Sequence, residues 1–108
     1  MSDVKYFSPK CYADVILSLS IKMQVSALAQ DWETTQELEQ QRNLILEQLF
    51  AHPEITKALP SLAVTLEKVI EIDTLVIEEG ENELKLMSSK LQQFGKGKRA
   101  VNAYLEPH

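Results

Sequence analysis

Along three stretches of this chain the apolar positions advance in steps of three and four, the spacing that gathers side chains on one face of an α-helix. The first stretch opens at Ser8-Pro9, where the serine can cap a helix and proline, lacking an amide hydrogen, suits the first helical position. Tyr12, Val15, Ile16, Leu19 and Met23 then form one face of a helix ending near Ala29. Leu17, Ile21, Val25 and Leu28 form a second row on roughly the opposite face, and the only charges inside the helix are Lys10, Asp14 and Lys22. Two apolar faces need two neighbours. Either the helix is enclosed on both sides by its own fold, or one face awaits a partner or a second copy of the chain.

Asp31 can cap a second helix, and Glu33 stands where the helix dipole favours negative charge. Its seam is Thr35, Leu38, Arg42, Ile45 and Leu49, flanked by Trp32, Leu46 and Phe50, with the run Glu37 to Arg42 making the outer face polar. His52-Pro53 stops it near Ala51. The residues between Pro53 and Pro60 read as a connector, after which Ser61 caps a third helix with the seam Leu62, Leu66, Val69, Asp73, Val76, Gly80, Leu84, Met87, Leu91 and Phe94. That helix spans about 50 Å, against about 30 Å for each of the others, so part of it is left over once the three are packed. Asp73 and Gly80 interrupt the seam, which predicts a kink or local opening without a full break.

Off the seam, Val64, Leu75 and Leu86 recur every eleven residues and Ile72 joins them on a neighbouring line, so a second narrow apolar stripe runs along the third helix. Gly95-Lys96-Gly97 offers a C-cap, and Lys98 to Leu105 then suffices for two further turns, with Ala100, Val101, Tyr104 and Leu105 available to dock. A helix that short is unstable unless it packs on something. The expected fold is all-α, an antiparallel helical bundle of three main helices, one of them long, plus a short C-terminal helix.

With 108 residues the chain suits a single domain, residues 1–108, in which 98–108 form a detachable segment. Hydrophobic residues at 44%, with three glycines and four prolines, exclude a disordered or low-complexity chain. The net charge of −5 argues against a general grip on nucleic-acid phosphates. The charge is uneven, however: Leu66 to Leu86 holds seven carboxylates against two lysines, whereas Lys90, Lys96, Lys98 and Arg99 make the tail basic. Such a pairing can attract a partner or the chain itself. Cys11 is the sole cysteine, so an intrachain disulfide is impossible and a reducing compartment fits. No uninterrupted apolar run approaches the roughly 18 residues of a membrane span, and the expectation is a soluble cytoplasmic protein without membrane insertion.

Candidate chemistry is sparse. His52 and His108 are the only histidines, and neither has the company a metal site requires, so no metal and no cofactor are expected. Cys11 lacks a second cysteine or adjacent histidine and reads as a small filler. Glu78, Glu79, Glu81 and Glu83 lack the spacing of a calcium loop and read as a solvated face. Gly95-Lys96-Gly97-Lys98-Arg99 lacks the spacing of a phosphate loop. Asp73, lying on an apolar seam, calls for partial exposure or pairing with Arg42. No catalytic residue is assigned, and the chain is not expected to be an enzyme.

Three segments resemble the flagellar export chaperones of the FliT type. Asp31-Trp32-Glu33, followed by Glu37 to Arg42 and Leu46 to Leu49, is similar to that family's tryptophan, leucine-glutamate and arginine order in the second helix. Val69-Ile70-Glu71-Ile72-Asp73 resembles its aliphatic run ending in aspartate, and Gly97 to Leu105 its basic, alanine-rich tail ending in tyrosine-leucine. Together they span about the last three-quarters of the chain, while the first thirty residues match in pattern alone. The resemblance implies a cytoplasmic helical chaperone that binds the filament-cap protein FliD, blocks its premature self-association and helps bring it to the flagellar export apparatus. In some lineages such proteins also bind the flagellar master transcription regulator. The family's last helix can fold over the partner-binding surface. Carried onto this chain, that makes Val64, Ile72, Leu75 and Leu86 the client-binding candidates. Ala100, Val101, Tyr104 and Leu105 become a lid competing for that surface, Tyr104 resembling the aromatic that touches the export gate. Trp32 and Arg42 match positions that hold the helices together. The rivals are a generic helical adaptor or self-associating module, including a homodimer through the first helix, then an enzyme, then a nucleic-acid binder resting on Lys96, Lys98 and Arg99.

Overall fold

A computed structural model describes residues 7–105, and the side chains of residues 7–93. Three helices are present and no strand among the described residues: α1 (Pro9–Leu28), α2 (Trp32–Phe50) and α3 (Ile55–Leu105). The chain divides into two units, Met1–Ile77 and Glu78–His108.

Helix α1 starts as its residues dictate. Ser8 takes the extended N-cap conformation, Pro9 follows, and the Cys11 amide donates to Ser8 Oγ at 3.2 Å. Its end depends on Gln30, which adopts φ 60°. That left-handed step turns the Gln30 amide onto the Ala27 carbonyl (3.0 Å) and the Asp31 amide onto the Ser26 carbonyl (2.9 Å), a Schellman closure made without glycine at a cost of about 1 kcal/mol. Asp31 then serves the next element: its Oδ1 accepts from the Thr34 amide at 3.2 Å, and the Thr34 hydroxyl, together with this amide, holds its carboxyl below the usual aspartate range. One short link therefore ends α1 and starts α2.

The two helices pack along each other through a face that apolar residues alone did not reveal. On α1 the buried positions are Pro9, Ala13, Ile16, Ser20, Met23, Ser26 and Ala27. Small side chains there let α2 come close. Ser26 and Thr35 hydroxyls meet across the contact; one hydroxyl donates to the other, whose own hydrogen goes to a backbone carbonyl one turn earlier. By length and composition α1 is long and apolar enough to cross a membrane, while Ala13, Ile16, Met23 and Ala27 are buried within this chain.

Helix α2 buries Thr35, Arg42 and Leu49, as its seam predicts, and ends at Ala51. His52 is buried beyond it. Its Nδ1 accepts from the Glu54 amide at 3.0 Å, which assigns the hydrogen to Nε2, donated to the Phe7 carbonyl at 3.0 Å. Tyr12 meets the imidazole edge-on, and Phe7 meets Tyr12 likewise.

Helix α3 differs from expectation at both ends. It begins at Ile55, so Pro53 to Pro60 is no connector and Pro60 lies inside the helix. Ile55 and Ala58 pack against the core, and that burial offsets the hydrogen bond the proline forfeits. Ser61 does not cap: its hydroxyl donates back to the Ala58 carbonyl at 2.7 Å. At the far end the helix continues through Gly95-Lys96-Gly97 to Leu105, so the separate short C-terminal helix is absent. No glycine among the described residues takes a positive φ, and a helical glycine costs about 1 kcal/mol without forbidding the conformation. Nor does Gly80 break the helix.

Within the first unit all three helices share one core, with Ala13 and Ile16 from α1, Leu49 from α2, and Leu62 and Val69 from α3. Arg42 crosses it. Its Nη1 pairs with Asp73 Oδ1 on α3 and donates to Ser20 Oγ on α1 at 3.3 Å, while Ser20 donates onward to the Ile16 carbonyl at 2.9 Å. The pairing expected for Asp73 is thus formed, and it joins three elements through one buried guanidinium.

Candidate functional site

The fold leaves aliphatic side chains uncovered in bands, not singly. In the first unit, α3 turns Leu62 and Val69 inward, and the positions two residues beyond Leu62 and six beyond Val69 face water: Val64 and Leu75 are at least half exposed. Ile72 is half-buried beside them, which gives the row a partly anchored middle. In the second unit Leu86 is exposed. Three of the four client-binding candidates are therefore accessible and the fourth is partly so. Ala100, Val101, Tyr104 and Leu105 lie on helical backbone, but their side chains are outside the described residues.

Two further surfaces accompany this row. On α1, Leu17 packs against the core, whereas Ile21, Val25 and Leu28 are exposed, so the second face of α1 is enclosed only at its start. Ile21 and Val25 form one wall of an open groove of about 500 Å³, whose other side is Thr34 and Leu38 of α2. Lys22 and Asp31 also line it. On α3, Ile70 and Ile77 are also exposed, a pair that the eleven-residue pattern passed over although their seven-residue separation was readable.

Polar chemistry is not gathered here. The buried polar side chains are Ser20, Ser26, Thr35, Arg42 and His52, and each bonds to its own fold as described. Among the described residues no three of His, Cys, Asp and Glu converge on one point. Cys11, expected as a packed filler, is exposed because it sits on the outer side of the first turn. What the surface offers is exposed apolar area on α1 and α3.

The family model for flagellar protein FliT matches residues 12–106. The chain belongs to the FliT family of flagellar proteins. The match takes in α1 as well as the two later helices, so the family pattern reaches further toward the N-terminus than the three resembling segments did. It also places this chain among flagellar proteins. No curated protein and no solved structure matches the chain.

Proposed function

We propose that this FliT-family chain is a cytoplasmic chaperone of flagellar type III export that binds the filament-cap protein FliD, prevents its premature assembly and helps deliver it to the export gate. The observation that carries the reading is the exposed aliphatic row of α3, Val64 and Leu75 with Ile72 half-buried between them, on a helix otherwise anchored in a core. An amphipathic client segment laid on such a row would bury the surface that this chain leaves wet. Leu86 extends the same chemistry in the second unit.

Calorimetric titration with the C-terminal region of the filament-cap protein from the same organism tests this. Val64→Glu and Leu75→Glu are each expected to weaken binding by about 10- to 100-fold, the cost of losing one buried aliphatic contact. Both positions are exposed, so thermal stability should stay within about 0.5 kcal/mol of the parent. Absence of binding by the parent chain would leave a helical adaptor without a flagellar role as the reading.

Residues 98–108 are proposed as a detachable lid, with Ala100, Val101, Tyr104 and Leu105 competing for the client row and Tyr104 serving also at the export gate. Closing it requires α3 to open at Gly95-Lys96-Gly97, where two glycines weaken the helix. Deleting 98–108 is expected to tighten client binding in the same titration; equal or weaker affinity would rule out the lid. Binding of the flagellar master transcription regulator belongs to the same proposal and calls for the same titration with that protein.

A further inference from the structure

Within the first unit, the aliphatic residues of α3 do not by themselves decide how far that helix is rolled about its own axis. On either side of the inward line Leu62, Val69 and Asp73 stands an aliphatic flank, Ile70 with Ile77 on one side and Ile72 with Val76 on the other. Ile70 and Ile72 are two residues apart, about 200° around a helix, so each lies roughly 80° from the middle of that line. Ile72 and Val76 are half-buried, whereas Ile70 and Ile77 are 64% and 59% exposed. The wet flank therefore holds two isoleucines and the covered one an isoleucine and a valine. Apolar burial alone would favour the opposite roll, because isoleucine carries more apolar area than valine.

A polar contact opposes that preference. Arg42 is buried on α2 and donates to Ser20 Oγ of α1 at 3.3 Å, so its guanidinium is held by both other helices when it meets Asp73. Aspartate has a short side chain with little reach of its own. Rolling α3 by about 40° to tuck in Ile70 and Ile77 would carry a carboxylate that lies about 5 Å from the helix axis sideways by roughly 3 Å, out of hydrogen-bonding range of a fixed partner. Both charges would then be stranded, a cost larger than the gain from one extra carbon. We infer that the pair of Arg42 and Asp73 sets the roll of α3 and thereby selects which aliphatic flank the chain presents. With the pair formed, Ile72 is anchored beside the exposed Val64 and Leu75; without it, α3 samples a second roll in which Ile70 and Ile77 turn inward and Ile72 is released. Arg42 and Asp73 are thus positioning residues for the client row, acting through Ile72, and this consequence rests on the client reading.

Thiol labelling of the full chain tests the roll directly, with the exposed Cys11 removed by Cys11→Ser and either Ile70→Cys or Ile72→Cys as the reporter. With the pair intact, the Ile70→Cys thiol is expected to react with iodoacetamide about 5-fold faster than the Ile72→Cys thiol, and in Arg42→Met with Asp73→Ala the two rates should converge to within about 2-fold. Asp73→Asn offers Arg42 an acceptor of the same shape and should keep the contrast, although it melts below the double variant because the buried charge has lost its counter-ion. Stability and roll then move in opposite directions, which a pair that only held the fold together would not produce. In the filament-cap titration the double variant should bind about 3- to 10-fold more weakly, in proportion to the molecules left in the presenting roll. A contrast that survives in the double variant, a contrast lost in Asp73→Asn, or an unchanged affinity would each overturn the proposal. So would a double variant that circular dichroism shows to be unfolded, since the pair would then hold the fold and not choose the roll. A parent chain that binds no filament-cap protein would sink the client reading alone, and the labelling rates would still decide the roll.

Discussion

Truncating Leu49 to alanine is expected to destabilise the first unit by about 3 kcal/mol, because the side chain is fully buried where α1, α2 and α3 meet. The loss has two parts, the transfer energy of the removed carbons and the void left among Ile16 of α1 and Leu62 and Val69 of α3, which are each held by their own helix and cannot all relax inward. For a unit of this size the melting temperature should fall by roughly 15 °C. Urea denaturation followed by circular dichroism measures it. A loss under about 1 kcal/mol would mean that the helices close the gap by sliding, and that the core is looser than its burial implies. Val64→Ala provides the contrast, since the same kind of truncation at an exposed site should change stability by less than about 0.5 kcal/mol.

Asp73→Ala should cost about 2 kcal/mol for a different reason. It leaves the Arg42 guanidinium buried without its counter-ion, and Ser20 Oγ, a neutral acceptor, cannot replace the carboxylate. Asp73 is itself partly exposed, so water can reach the vacated space, which puts the loss below that of a fully enclosed pair. Replacing Arg42 by methionine in the same background removes the stranded charge and should recover much of the stability. Equal stabilities for Asp73→Ala and the double variant would show that the charge finds water on its own, and that the pair contributes little. The comparison separates an ion pair that sets how α2 and α3 align from one that merely occupies space.

These two sites also show how much of the fold the residues alone disclose. The seam of α2 was legible because large and polar residues alternate sharply around it, and Thr35, Arg42 and Leu49 are buried where the spacing put them. The face of α1 was legible in Ile16 and Met23 but incomplete, because much of its contact surface is made of Ala13, Ser20, Ser26 and Ala27, small residues that carry almost no hydropathy signal but set how closely α2 approaches. Val15, counted as core, is instead exposed. The start of α3 was missed because Pro60 has strong local preferences, and only the burial of Ile55 and Ala58 overrides them. Gly95 and Gly97 misled in the same way, by a cost that a helix can bear. At the site, the eleven-residue recurrence found Val64, Leu75 and Leu86, because a stripe beyond what the core requires has to be uncovered. It overlooked Ile70 and Ile77, and the groove between α1 and α2, whose walls come from two elements and so leave no single periodicity to read.

The tight corner at Ala29 to Asp31 also bears on the order in which the chain assembles. Contacts between α1 and α2 join residues near in sequence, so closing that loop sacrifices little chain entropy and can proceed on a fast timescale. During synthesis those two segments emerge first and can zip together while Leu62 and Val69 are still within the ribosome. The slower event is then the arrival of the third segment, when Arg42 acquires its aspartate and the nascent pair is sealed.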